Sequence, residues 1–543
     1  MVTVTFNKFR LLSKCEVQED ELESLLFDLK SEVKPKEGGQ LEVEVNADRL
    51  DLLSSDGIAR AVKGLKGKAL GEASYKQFSS SYILEVNEVR SRPFVAAAVL
   101  EDVVLGEEGL RELIQFQEKL HTTIGRKRRK VAVGIHDLSK VDTKVIKYST
   151  LPLDYKFVPL GAGKLMSLRE VLSETEQGRN YGQISLSEGR LPAILQEDGQ
   201  VLSVPPVINS EKTKLTAETD RLLIDVTGTS GEAVVQTLDI LVTNLAEGGA
   251  KIGTIELQGG VWQSTPVLNH DALKVELEYI RSASGYEMAC EQVVALLSKA
   301  RLDSSCDGQT VSVTIPPYRI DILGRADIVE EVLMAYGYSR VDPIDFIVTK
   351  GGSLLTQTKL IRALRDLAVG AGFTEVFNFV LVDGRDFKGN SVKLANPVTA
   401  DVNSVRSSLI PGLLKMLSKN QKVGFPVKVF EIGEVVLADA EKETGYTNRT
   451  MMSLATIDSK ISYEQLQSAL HAILTSLGVT PSYTRYDNSY FMEGRGAKII
   501  IDDEEVGVVG EVHPRELEFF GLTFPAMVAE VSVDELLKLL RTP

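Results

Sequence analysis

Pro316-Pro317-Tyr318-Arg319-Ile320-Asp321-Ile322-Leu323-Gly324-Arg325-Ala326-Asp327-Ile328-Val329-Glu330-Glu331-Val332 is the stretch from which the rest of the chain can be read. An alternating segment over 311–315 precedes it and predicts a strand. Two prolines then suit an extended entry and a helix start, because neither offers the N–H that a helix interior needs. From Asp327 onward Ile328, Val329, Val332 and Leu333 recur at helical spacing. Asp327, Glu330 and Glu331 stand at i, i+3 and i+4, so three carboxylates share one helix face, and Asp321 is close enough to fold back over the first turn. Carboxylates crowded in this way repel unless cations compensate. Within the stretch only Arg319 and Arg325 are basic. An all-oxygen set suits a hard cation, Mg²⁺ or Ca²⁺, and not zinc. The same pattern is also compatible with an acidic first turn that favours the helix dipole and binds nothing.

With Tyr336-Gly337-Tyr338 at its end, this block resembles the metal-binding module of the phenylalanyl-tRNA synthetase beta-subunit family. The resemblance implies that Asp321, Asp327, Glu330 and Glu331 hold Mg²⁺ near a catalytic alpha subunit.

At 543 residues the chain has room for three or four domains. Hydrophobic residues make up 43% and charged residues 25%, an ordinary globular mix. No long apolar run predicts a membrane span, and the start has no apolar core of a secretory signal. Cys15, Cys290 and Cys306 are far apart and form neither a disulfide framework nor a zinc motif, which makes a reducing cytoplasm the simplest setting. A net charge of −15 does not suit a chain that wraps nucleic acid by itself. The run Arg126-Lys127-Arg128-Arg129-Lys130 could still touch phosphates, or be a charged turn between a helix and a strand.

Residues 1–85 read as a small α/β unit, with strands over 2–6 and 41–45 and an amphipathic helix over 19–29. Ser54 or Ser55 can cap the next helix. Residues 46–54 resemble the family's N-terminal signature, with Leu50 in place of its proline. In 86–270, a helix ending at His121 runs into Gly125 and then a strand ending at Asp137, as in the archaeal and eukaryotic form of the family. His121 and His136 invite a metal-ligand or acid–base reading, but a lone histidine is more often packed or hydrogen-bonded. Asp225-Val226-Thr227-Gly228-Thr229 ends an apolar strand before a helix over 233–245, and such a mouth can hold a small polar ligand. In the family this region is the editing module that hydrolyses tyrosine misattached to the phenylalanine tRNA. The resemblance assigns Asp225 and Thr227 to that site, with Ser203 and Asn209 beside them. A satisfied strand–helix corner is the alternative. No Ser-His-Asp or Cys-His signature appears, so positioned water is the expected nucleophile.

Residues 271–342 are expected to form a winged-helix-like module around the opening stretch, with a strand over 271–281 and a helix over 290–299. Residues 351–543 resemble a class II synthetase core with an antiparallel sheet. Its strand Val429-Phe430-Glu431-Ile432-Gly433 lacks the arginine before the glutamate that grips ATP, and Gly507–His513 lacks a terminal arginine. Phosphoryl chemistry needs such positive groups, so activation of an amino acid by this chain alone is not expected. The fold class is therefore α+β and multidomain. The resemblance is to the shorter archaeal and eukaryotic form, so the extra modules of the longer bacterial form are not expected. The reading implies a heterotetramer of two alpha and two beta chains acting on tRNA(Phe), with no membrane. Its rivals are a pure scaffold with a vestigial editing pocket and a free-standing editing hydrolase.

Overall fold

A computed structural model describes every residue except 342, 344, 346–349, 388–390 and 541–543. The expected boundary at 342 and the last three residues of the expected final domain lie outside the described residues. The chain divides into two compact units, Met1–Ile344 and Asp345–Pro543. Among the described residues no helix is long and apolar enough to cross a membrane.

The first unit holds three principal sheets. In the smallest-numbered one, Gln40–Val45 is the central strand between Val2–Asn7 and Glu32–Lys36, all antiparallel. Its Leu41, Val43 and Val45 are buried while the residues between them are not, as period-two alternation requires. Of the two caps open from the sequence, Ser54 and Ser55, it is Ser54 that serves: its Oγ accepts the Gly57 N–H at 3.1 Å at the start of helix Ser55–Leu65.

The second sheet has ten strands. Lys251–Gln258 lies near its middle, parallel to Gln77–Val86 on one side and antiparallel to Phe94–Glu101 on the other. Phe94–Glu101 pairs with Leu222–Gly228, which in turn pairs with the edge strand Val131–Asp137. Strand Gln77–Val86 crosses the boundary expected at 85. Every residue of Leu222–Gly228 is buried. Leu222, Ile224 and Val226 face a core shared with helix Gly231–Glu247, and Leu223 enters a second core on the opposite face. By alternation Asp225 and Thr227 lie on the Leu223 face. Asp225 is thus mid-strand and not at the strand's mouth.

The third sheet orders Asp271–Glu276, Thr310–Ile315 and Asp303–Cys306, all antiparallel, with helices Leu277–Ser284, Cys290–Lys299 and Arg325–Tyr336. The strand expected over 271–281 stops at Glu276. Leu277 and Ile280 then turn into the core at helical spacing, which overrides the apparent alternation. Cys290 and Cys306, expected to be independent, are joined as a disulfide with Cα atoms 5.8 Å apart. The helix–strand reversal between them brings positions 16 residues apart face to face. Cys15 is free and buried.

Tyr318 leaves this third sheet and enters the core of the N-terminal region. The Arg60 guanidinium lies over its ring at 3.5 Å. Arg60 also donates to Asn244 Oδ1 at 2.9 Å and to Asp51 Oδ2 at 3.4 Å, and Asp51 is paired with Arg49 at 2.9 Å.

The second unit is built on a seven-stranded sheet, antiparallel except where Thr374–Glu375 runs parallel to Val427–Ala438. Buried Glu530, on strand Ala526–Ser532, accepts the Leu409 N–H at 2.7 Å and the Ser408 hydroxyl at 3.0 Å. Burial outweighs these bonds and pushes its carboxyl up to about 7. The folded value lies above the unfolded one, so the native state binds the extra proton and stability falls as pH rises from about 4.5 to 7. The shift corresponds to about 3 kcal/mol. Urea titrations across that range should show the loss, and Glu530→Gln should remove it. A slope identical in variant and parent would refute the assignment.

Candidate functional site

A cavity of about 500 Å³ opens beside the strand that carries Asp225. Asp225, Ser203 and Asn209 all line it, with His121, Glu118 and Arg128 as further polar groups. Val133, Leu160, Val204, Pro205, Pro206 and Leu215 supply apolar wall. The geometry at Asp225 is specific. Asp225 Oδ2 meets His136 Nε2 at 2.9 Å and accepts the Ser203 hydroxyl at 3.4 Å. His136 Nδ1 stands 2.8 Å from Thr213 Oγ1. With a proton on Nε2, His136 donates to Asp225 and leaves Nδ1 facing the Thr213 hydroxyl. Asp225 Oδ1 is buried and has no hydrogen-bond partner among the described residues. An unpaired buried acceptor costs free energy until a donor arrives.

Gly134 makes room for this arrangement. A Cβ there would come within 2.1 Å of Asp225 Oδ2 and 3.0 Å of His136 Nε2. The register pairs Gly134 with Asp225 and His136 with Leu223, so the glycine and the histidine lie on Asp225's side of the sheet.

Thr227, expected in the site, does not line the cavity. It shares a face with Asp225, but buried Arg92 intervenes, donating to Thr227 Oγ1 at 3.2 Å and to Thr227 O at 2.6 Å. Burial lowers the Arg92 guanidinium to about 10. His121 is hydrogen-bonded on both nitrogens, Nε2 accepting the Val133 N–H at 2.8 Å and Nδ1 standing 3.1 Å from Glu118 Oε1. Burial pushes its imidazole below the usual value. Sequence reasoning did not reach His136, Thr213, Glu118 and Arg128 as a set. Only strand register and cavity shape bring them together.

Ser203 and His136 both direct their polar atoms at the same Asp225 oxygen. A nucleophilic relay would instead have the serine donate to the histidine. The cavity is therefore equipped to recognise a largely apolar group that carries one hydrogen-bond donor.

The four carboxylates of the opening stretch are placed differently from expectation. Arg319 Nε and Nη2 donate to Asp321 at 2.9 and 2.8 Å, and Nη1 donates to Glu331 Oε2 at 3.1 Å. Asp327 Oδ2 accepts the Leu323 and Gly324 N–H groups, both at 2.8 Å, as the helix cap. Glu330 pairs with Lys30 at 3.0 Å. Arg319 is the local cation of the stretch, and the fold adds Lys30 from the N-terminal region. Among the described residues no three His, Cys, Asp or Glu side chains are grouped to hold a metal. In this arrangement Asp321 and Glu331 are engaged by Arg319, Asp327 by two backbone N–H groups through one oxygen, and Glu330 by Lys30.

In the second unit, the arginine missing from the Glu431 strand arrives from another segment. Arg406 Nη1 donates to Glu431 Oε1 at 2.6 Å and to Asn378 O at 3.2 Å, and its Nε donates to Glu434 O at 2.8 Å.

Residues 273–338 match the tRNA synthetase B5 domain, and residues 346–533 match the phenylalanyl tRNA synthetase beta chain CLM domain. The phenylalanine–tRNA ligase beta subunit of Sulfurisphaera tokodaii is 49% identical over 536 residues, covering 99% of both chains. That of Saccharolobus solfataricus is 48% identical over 542 residues, again covering 99% of both chains. A crystal structure of an N-terminal fragment of the phenylalanyl-tRNA synthetase beta-subunit from Pyrococcus horikoshii is 34% identical and superimposes with a TM-score of 0.60, covering 62% of this chain and all of the fragment. With similarity of this depth along its whole length, the chain belongs to the phenylalanine–tRNA ligase beta-subunit family.

Proposed function

We propose that the chain works as the beta subunit of phenylalanine–tRNA ligase, in a heterotetramer of two alpha and two beta chains, and that its 500 Å³ cavity removes tyrosine misattached to tRNA(Phe). The observation that carries the second part is Asp225 Oδ1, a buried acceptor without a partner on the wall of a mainly apolar cavity. A tyrosyl hydroxyl supplies the missing donor and a phenylalanyl ring does not. A site that leaves a buried polar group unpaired rejects the analogue strongly. With no serine–histidine relay in place, hydrolysis falls to water at the ester, and the chain's own task is to orient the side chain. The test is deacylation of tyrosyl-tRNA by the holoenzyme with Asp225 intact and replaced.

Charging itself belongs to the alpha chain in this reading. Arg406 is engaged with Glu431 and two backbone carbonyls, so it is not a free group for gripping phosphate. Phenylalanine-dependent pyrophosphate exchange is expected only when the alpha chain is present. Exchange by the isolated beta chain would refute this.

The resemblance also brings Mg²⁺ with it. Arg319 and Lys30 already neutralise much of the carboxylate set, so we assign that set an architectural role, and no step in this reading runs through an ion.

A further inference from the structure

The basic run Arg126-Lys127-Arg128-Arg129-Lys130 is built as two faces of one turn. Arg126, Lys127 and Arg128 are three successive left-handed residues, with φ of 48°, 54° and 65°. L-residues resist that region, and a run of three persists only where the surroundings hold it. Here they do. Gly125 N–H bonds to Leu120 O at 2.9 Å, Arg128 N–H to His121 O at 3.0 Å and Lys130 N–H to Gly125 O at 2.8 Å. Buried Arg92 donates to Arg128 O at 3.1 Å while also holding Thr227, next but one to Asp225. The turn is therefore fixed to the strand that carries the pocket acceptor.

The twist sends the side chains in opposite directions. Arg128 turns into the pocket wall, donating to Pro206 O at 3.1 Å and stacking over Tyr181 at 4.4 Å. Arg126, Lys127, Arg129 and Lys130 line a separate open concavity together with Thr229 and Ser230. Arg126, Lys127 and Arg129 are exposed. Among the described residues none of the four is ion-paired, although acidic residues outnumber basic ones 76 to 61 along the chain. Four cations kept unpaired on a rigid turn of an acidic protein call for an anionic partner, and hydroxyls beside them suit phosphate oxygens.

We infer that this turn is a phosphate dock for RNA, gripping the backbone close to the aminoacylated end while Arg128 and the Asp225 pocket receive the aminoacyl group. The inference rests on the deacylation reading for its kinetic readout, but RNA binding is measured apart from it.

The experiment uses the holoenzyme and tRNA(Phe), with Arg126, Lys127, Arg129 and Lys130 all changed to Gln. Each phosphate contact contributes roughly 0.7–0.9 to the slope of log affinity against log salt, so the slope should flatten by about 3 and Kd rise about ten-fold or more. For tyrosyl-tRNA, KM should rise with kcat retained. Should the quadruple variant fail to fold, the pair Lys127→Gln with Arg129→Gln, both exposed, should give about half the change in slope. An unchanged Kd and salt slope, or a fall in kcat at constant KM, would overturn the dock. Equal losses for RNA and for heparin would overturn its assignment to RNA. Intact deacylation in Asp225→Ala would instead overturn the pocket reading and leave the binding result standing.

Discussion

Replacing Arg319 with leucine is expected to destabilise the first unit by about 3–5 kcal/mol, the cost of removing one partner from a buried ion pair. Arg319 is 3% exposed and its fork holds two acidic side chains at once, Asp321 and Glu331. Leucine would leave both carboxylates near each other without the guanidinium that bonds to both. The effect is a large fraction of a domain's usual stability of about 5–15 kcal/mol. Lysine should rescue only in part, since one ammonium cannot reproduce the planar fork. Acidity provides a second signature. Burial pushes the Asp321 carboxyl up, but Arg319, with Arg49 behind it, more than compensates and holds it below its usual range. In the parent, Asp321 therefore contributes stability that is present above its unfolded pKa and lost on acidification. In the leucine variant burial keeps raising the carboxyl while only the more distant Arg49 opposes it, so the loss of stability on acidification should be smaller than in the parent. Urea midpoints as a function of pH measure both. Mg²⁺ should leave the parent's midpoint unchanged, and a rise on adding Mg²⁺ would show that the carboxylates hold an ion after all.

Asp225→Ala is expected to lower kcat/KM for deacylation of tyrosyl-tRNA about 100-fold while phenylalanine charging stays near normal. A hydrogen bond to a charged group is worth roughly 1.5–3 kcal/mol, and here it is the bond that separates a phenol from a phenyl ring. Asp225→Asn is the more informative variant. His136 offers a proton on Nε2, so the amide must turn its oxygen towards His136 and its NH₂ into the cavity. The pocket would then present a donor where it had an acceptor, and the preference for a tyrosyl hydroxyl should shrink with little change in volume. Deacylation unaltered in both variants would move the site away from Asp225.

Features governed by near neighbours in the chain were legible in advance. Ser54 caps its helix because the cap oxygen and the N–H that donates to it lie within three residues. The helix Cys290–Lys299 has the bounds its apolar spacing implied. Features set by distant partners were not. Lys30 reaches Glu330 across some 300 positions, and no local spacing could announce it. Thr227 and Asp225 look equivalent in sequence, being two apart on one strand. What differs is the side chain above each, Arg92 over one and the cavity beside the other. His136 stood out in the sequence only as a lone histidine, with nothing to tie it to Asp225. Its role follows from the register of two strands that the sequence separates by about 85 residues.

Tyr318 and Arg60 bear on the order in which this protein is completed during synthesis. Arg60 lies in the N-terminal region, yet the aromatic face beneath its guanidinium belongs to a residue translated some 250 codons later. Asn244 accepts its hydrogen bond, and that too emerges late. A nascent chain halted before these residues would carry an arginine whose burial is not yet compensated, in a core not yet closed. The N-terminal region is therefore a poor candidate for an independently ripening domain. Its final locking waits for the stretch around Tyr318, and closure over so great a sequence separation is inherently slow. A truncation ending near residue 270 should on this account be prone to proteolysis at its very beginning, far from the cut.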